Sequence, residues 1–203
     1  MHTPIQLLLI TDSQRFAKTG DMRKVLELAL QGGVDTILLR EKHLDSAKLL
    51  ALAASLRVLT QQYQAKLMIH SQADIAQAVV ADGVHVDSTS IAEIPKIKAW
   101  VQHDILVSAS CHNEKELQYA QDMGADFAFL SPVFPTQSHP GAPSLGVATF
   151  LSLSQQVDMQ VIALGGIDAH NQAQLQGAGL ATMGGILDAE DPKKAAQDLS
   201  KPA

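Results

Sequence analysis

The sequence predicts a (β/α)8 barrel formed as one α/β domain over residues 1–203. Three observations carry that prediction. Short apolar runs of strand length recur from end to end, and each is followed by a helix-like stretch. Several of these runs are apolar throughout rather than alternating, the pattern of strands buried on both faces of a parallel sheet. Glycine stands near the point where a helix-like stretch gives way to the next run, at Gly32-Gly33, Gly83, Gly124 and Gly179, where a helix C-cap is expected. A doubly wound open sheet is the alternative, but eight short units in succession favour closure. A chain of 203 residues also suits a single core.

Taken in order, the apolar runs are IQLLLIT (5–11), DTILLR (35–40), KLMIH (66–70), GVHV (83–86), DILVSAS (104–110), DFAFLS (126–131), QVIALGG (160–166) and LATMGG (180–185). GVHV is the shortest of them and the least distinctive. The intervening stretches DMRKVLELALQ, DSAKLLALAASLRVLTQQY, QADIAQAVV, SIAEIPKIKAWV, NEKELQYAQDM, SLGVATFLSLSQQV, AHNQAQLQG and DPKKAAQDLS are expected as helices. Asp21, Asp45, Asn113, Asp168 and Asp191 stand where N-caps are needed.

Composition narrows the function classes. A net charge of −6 argues against a general nucleic-acid or anionic-membrane surface. The lone cysteine, Cys111, allows no internal disulfide. The opening MHTPIQLLLITDSQ has an apolar run too short for a signal or membrane segment, so a cytoplasmic protein is expected.

In a (β/α)8 barrel the active site lies at the C-terminal strand ends, which sorts the polar residues. ALGGID and TMGGIL put Gly165-Gly166 and Gly184-Gly185 after the last two runs, where backbone N–H groups can bind phosphate. LLREKH puts Arg40 and Lys42 two residues apart at a strand end, a spacing that aims both cations the same way in extended chain. Cations there suit a phosphate or diphosphate; the alternative is a surface ion cluster with Glu41 and Asp45. Of the eight histidines, His70, His85, His112 and His139 fall near strand ends. Their spacing gives no zinc motif. SPVFPTQSHPGAP (131–143) holds four of the eight prolines and follows the sixth run.

LLLITD, ILLREK, ADGVHV, SASCH, GADFAFLSPVFPT and VIALGGI resemble, in order and over nearly the whole chain, the thiamine-phosphate synthase/TenI superfamily. The resemblance implies a TIM barrel whose ligands are small phosphorylated thiamine precursors. For the synthases it implies joining hydroxymethylpyrimidine diphosphate to thiazole phosphate, with Mg2+ on the diphosphate. It matches the family Arg and Lys to Arg40 and Lys42, the family serine to Ser110, and the thiazole-phosphate loop to Gly165 and Gly166. Thr136, Gln137, Ser138 and His139 stand where the family reads Thr-x-Thr-Lys. Ile186 and Leu187 replace an Ile-Ser pair. Leu38 replaces a Gln, His70 and Ser71 an Asn-Asp pair, and Ser90 the second acidic metal ligand, with Asp87 three positions early. The expected catalytic group is therefore Arg40, Lys42, Ser110 and His139. Thr136, Ser138, Gly165, Gly166, Gly184, Gly185, Ile186 and His70 are expected to bind substrate or phosphate. Mg2+ is an open cofactor without its family carboxylates, so no residue is assigned to metal. A TenI-like thiazole tautomerase, or a non-catalytic barrel binding a phosphorylated ligand, is the alternative. PTQSHPGAPSLG is closest to a synthase-like domain found fused to Nudix hydrolases, which implies a functional link to such an enzyme. A homodimer is an open expectation, as barrels of this size often pair.

Overall fold

The computed structural model describes residues 3–15, 21–136, 141, 143–175 and 177–201. Eight parallel strands close in chain order: β1 (Leu7–Ile10), β2 (Thr36–Leu39), β3 (Lys66–His70), β4 (Gly83–Val86), β5 (Leu106–Cys111), β6 (Phe127–Leu130), β7 (Gln160–Leu164) and β8 (Gly179–Thr182). The last pairs with the first, Leu8 against Ala181, so no strand edge is left open. GVHV is a full member, bonded to β3 and β5.

The helices are α1 (Met22–Gln31), α2 (Ser46–Gln62), α3 (Ala73–Val79), α4 (Ile94–Trp100), α5 (Glu114–Asp122), α6 (Val147–Ser154), α7 (Gly184–Leu187) and α8 (Pro192–Leu199). Asp21, Asp45, Asn113 and Asp191 cap α1, α2, α5 and α8 by accepting a backbone N–H in the first turn. Asp168 does not cap a helix. It accepts from the N–H groups of His170 and Asn171, and the described residues of AHNQAQLQG form only a 3-10 turn over Gln172–Leu175. Leu175 is the one buried residue of that turn, too small an apolar face to hold a helix on the barrel.

Two apolar layers result. Leu8, Ile10, Leu38, Met68, Leu106, Phe127, Phe129, Ile162 and Ala181 fill the barrel interior. The alternate strand residues, among them Leu7, Leu9, Ile37, Leu39, Leu67 and Ile69, pack outward against the helices. This two-sided burial is why the runs read as continuously apolar.

The N-terminal end of the barrel is tied by a repeated device. Asp35, just before β2, accepts from the N–H groups of Gln6 and Leu7 at 2.7 and 3.3 Å. Asp82 before β4 accepts from Leu67 at 2.7 Å, and Asp126 before β6 from Val107 at 2.7 Å. Gln160 completes the series by bonding both backbone groups of Ile5. These sites sit at the face opposite the strand C-termini, where side chains serve stability. Gly83 and Gly179 are strand residues, not helix caps. A Cβ on Gly179 would lie 2.5 Å from the Ile5 carbonyl oxygen, and one on Gly83 2.9 Å from the Leu106 carbonyl oxygen of the neighbouring strand. Only glycine lets these strands seat. The cap that glycine would have supplied after α3 is Val80, in the left-handed region at φ 51°.

Candidate active site

Inward-facing positions change character along the strands. Met68 and Leu106 are apolar, but two residues on, toward the C-terminal mouth, come His70 and Ser108, with His85 on β4 beside them. His85 is 2% exposed and lies between two hydroxyls, Nδ1 2.8 Å from Ser108 Oγ and Nε2 2.8 Å from Ser110 Oγ. A neutral imidazole has one N–H and one bare nitrogen, so one serine accepts from the ring and the other donates to it. The ring stacks on Phe129 at a centroid distance of 4.5 Å. Burial, reinforced by the neighbouring His70, pushes the His85 pKa down to about 3, so the ring is neutral through the working pH range. It therefore fixes Ser110 in orientation and supplies no charge.

His70 ends β3. Its Nε2 lies 3.1 Å from Asp87 Oδ1, and its Nδ1 2.9 Å from Ser71 Oγ. Burial lowers the His70 pKa, only partly opposed by Asp87. Burial alone would raise the Asp87 carboxyl, but His70 and Lys42 outweigh it and hold Asp87 below the usual carboxylate range. Neutral imidazole beside carboxylate fixes the proton. Nε2–H donates to Asp87, leaving Nδ1 to accept from the Ser71 hydroxyl. Ser71 holds this position with a left-handed backbone, φ 60°, a conformation that costs a non-glycine residue free energy and that clusters at functional sites.

Lys42, Glu41, Leu39, Leu44, Leu49, His70, Ser71, Gln72 and Asp87 enclose a cleft of about 290 Å³ at the ends of β2, β3 and β4. Lys42 stands 3.4 Å from Asp87, both side chains about half exposed. Its partner is thus neither Glu41 nor Asp45. Asp45 caps α2 and pairs with Lys48. Glu41 is buried and takes the Ser13 N–H on both carboxylate oxygens, at 3.0 and 2.9 Å, which joins the loop after β1 to the loop carrying Arg40 and Lys42. Arg40 is half-buried, its N–H donating to Thr11 Oγ1 at 3.0 Å. Among the described residues no carboxylate pairs with its guanidinium. Lys42 lies in a turn, so the two cations are not aligned as on one extended strand.

The loop after β6 lies over the loop after β7. The Val133 N–H donates to Leu164 O at 2.9 Å and the Phe134 N–H to Gly165 O at 3.0 Å. Gly165 and Gly166 have φ of 99° and 65°, and a Cβ on either would meet this strap, 2.7 Å from Pro132 Cα and 2.4 Å from Pro135 O. The two glycines are needed first for that close approach. Gly184 and Gly185 begin α7, and a Cβ on Gly185 would lie 2.6 Å from Ile167 O and from Thr182 Oγ1. The described residues offer no acceptor to the N–H groups of these four glycines. β7 and β8 are adjacent, so the loops that carry these glycines lie on one side of the mouth, with β3 and β4 across from them.

One expectation is corrected. Ile186 is fully buried and its N–H donates to Met183 O at 3.3 Å, so it is core and offers the mouth no donor. His112 follows the end of β5, as expected, and is half-exposed with its Nδ1 2.9 Å from Glu116. Thr136 is half-buried at the end of the described strap. Ser138 and His139 lie outside the described residues. Cys111 is buried and its thiol is pushed up to about 12 by that burial, so it is no nucleophile.

The donor set does not fit Mg2+. Mg2+ takes oxygen ligands, typically one or two free protein carboxylates beside waters and substrate phosphates. Here Glu41 is committed to Ser13, Asp87 is shared between His70 and Lys42, and the neighbouring positions are imidazole or hydroxyl. Among the described residues no three His, Cys, Asp or Glu side chains converge. No helix among the described residues is long and apolar enough to cross a membrane.

A family model described as thiamine monophosphate synthase matches residues 7–187. The chain is 33% identical to the thiamine-phosphate synthase of Clostridium tetani, covering 96% of this chain and 93% of the relative. It is 32% identical to that of Methanobrevibacter smithii, covering 87% and 86%. The thiamine phosphate pyrophosphorylase structure from Pyrococcus furiosus superimposes with a TM-score of 0.85 at 28% identity, covering 96% and 93%.

Proposed function

Since the chain belongs to the thiamine monophosphate synthase family, we propose that it joins a pyrimidine carrying a methylene diphosphate to a thiazole phosphate, giving thiamine phosphate and diphosphate. The observation that carries this reading is the division of one barrel mouth into two anion-favouring halves. Among the described residues, the four glycine N–H groups beyond β7 and β8 have no protein acceptor. Arg40 and Lys42 follow the end of β2, and Lys42 lines the cleft at the ends of β2, β3 and β4. Two phosphorylated substrates that must meet suit such a mouth.

In this assignment the C–O bond to the diphosphate breaks with its electron pair going to the leaving oxygen. The thiazole nitrogen lone pair forms the new C–N bond. Arg40 and Lys42 stabilise the charge developing on the leaving group, a contribution that grows in the transition state and therefore accelerates the step. Gly165, Gly166, Gly184 and Gly185 hold the monophosphate and fix the nitrogen's approach. Ser110, oriented by His85, offers its hydroxyl between the two halves. Neutral His85 keeps the interior free of a cation that would oppose the positive carbon. In this reading Thr136, Ser138 and His139 contribute two hydroxyls and an imidazole to substrate binding and catalysis.

The test is thiamine phosphate formation from both substrates, measured beside a thermal shift with the thiazole phosphate alone. No turnover together with no shift would reject the assignment. A shift without turnover would support the non-catalytic alternative.

A further inference from the structure

We propose that this chain binds its diphosphate without a divalent cation, through direct contact with Lys42 and the Ser71 hydroxyl. The inference rests on the reading that the cleft holds the leaving group, and it starts from the misfit between the cleft and Mg2+.

Charge bookkeeping favours it. The resemblance places two family carboxylates at positions held here by Ser71 and Ser90. Two carboxylates beside an anionic leaving group repel it unless a divalent cation lies between them. Removing both carboxylates takes away two negative charges, and removing the cation takes away two positive ones. Losing the two carboxylates and the cation together leaves the charge offered to the anion unchanged by those three groups, so the repulsion that a cation would screen is gone and Lys42 and Arg40 are left to meet the diphosphate.

The remaining groups are arranged for direct contact. The Lys42–Asp87 pair is long, 3.4 Å, with side chains 52% and 44% exposed. Such pairs are weak, so the ammonium can turn from Asp87 to a phosphate at small cost. Asp87 does not become an unpaired carboxylate when it does, because the His70 imidazole still donates to it at 3.1 Å. The pairing of a histidine and an aspartate thus keeps Asp87 turned to protein and not to an entering metal, as the Ser13 N–H does for Glu41, the other carboxylate of the lining. Ser71 is held at the wall by its contact with His70 Nδ1. Its hydroxyl can turn from that nitrogen to a phosphate oxygen. Gln72 adds a neutral amide to the lining.

The experiment is calorimetric titration of inorganic diphosphate into the full chain, in excess EDTA and in excess MgCl2. The wild type is expected to bind in EDTA, and no more than about threefold tighter with Mg2+, a difference under 1 kcal/mol. Lys42→Ala should weaken binding in EDTA by about tenfold or more. Ser71→Asp with Ser90→Asp should reverse the cation dependence, so that binding becomes at least about tenfold tighter in Mg2+ than in EDTA. Wild-type binding that appears only with Mg2+ overturns the proposal, as does binding in EDTA that ignores Lys42→Ala. Should the double variant fail to fold by its melting curve, those two outcomes still decide. Absence of diphosphate binding in both buffers also overturns it. A thermal shift with thiazole phosphate then tells whether the synthase reading falls too: a retained shift sinks the cation-free cleft alone.

Discussion

Gly166→Ala isolates what the strap over the β7 loop contributes. The substitution adds one methyl group at φ 65°, with its carbon 2.4 Å from Pro135 O, 2.9 Å from Phe134 Cβ and 3.0 Å from Phe134 O. The left-handed backbone alone costs an alanine about 1–2 kcal/mol. The close contacts are mainly with backbone and with a Cβ, which no rotamer change relieves, so the strap must lift, at about 1–3 kcal/mol more. The sum is about 2–5 kcal/mol, a fall in melting temperature of about 4–20 °C for a chain of this size. Gly124→Ala is the control, since its φ is 82° and no atom lies within 4 Å of its would-be Cβ. It should show the backbone cost without the contacts. Differential scanning calorimetry of both variants measures the difference. A lifted strap also displaces the Gly165 and Gly166 donors, so the thermal shift with thiazole phosphate should vanish in Gly166→Ala and persist in Gly124→Ala. Equal destabilisation of the two variants, with ligand shifts intact, would refute the claim that these glycines exist to let the strap approach.

Three further outcomes follow from the buried groups. His85 is neutral in the folded chain and titrates normally when unfolded, its folded pKa depressed to about 3. Its contribution is therefore fully present above about pH 6.5 and lost as pH falls toward 3, with an upper bound of about 1.4 kcal/mol per pH unit; His85→Asn should flatten the stability profile over that window in urea melts, and an unchanged slope would contradict it. Cys111, buried with its thiol pushed up to about 12, should resist a thiol reagent at pH 8 until denaturant is added; rapid labelling of the native chain would contradict its burial. Glu41→Gln exchanges a carboxylate that takes the Ser13 N–H on both oxygens for a neutral acceptor, which should cost about 1–2 kcal/mol and raise KM for the diphosphate substrate more than it lowers kcat, since it loosens the loop carrying Lys42 without touching the reacting atoms.

What the sequence shows and what it hides divide along a physical line. Strands buried on both faces announce themselves as apolar runs, and even GVHV could be placed because its neighbours fixed the alternation. Local capping was equally visible, since Asp21, Asp45, Asn113 and Asp191 bond within their own first turns. Contacts between strands were not. Asp35, Asp82 and Asp126 look like ordinary loop acids, although VDTILL, ADGVHV and ADFAFL repeat the same step of an aspartate just ahead of an apolar run. That repetition was a signal for the ties at the barrel's N-terminal end. Gly83 and Gly179 were misplaced for the same reason. A glycine ahead of an apolar run reads as a helix cap, and the strand pairing, with the backbone of Leu106 or Ile5 close by, shows it to be a strand residue. At the mouth, the strand-end rule found His70, Lys42 and Ser110 but not what each one touches. His70 and Asp87 are 17 residues apart, Ser13 and Glu41 28, and His85 and Ser110 25. These couplings decide function. Read singly, His70 and Ser71 are lost metal ligands. Read with Asp87, they are a set of partners that satisfies itself. The cleft has then been rebuilt around Lys42 with the charge of two carboxylates and a cation removed together, and that view, unlike simple decay of a metal site, requires diphosphate to bind in EDTA.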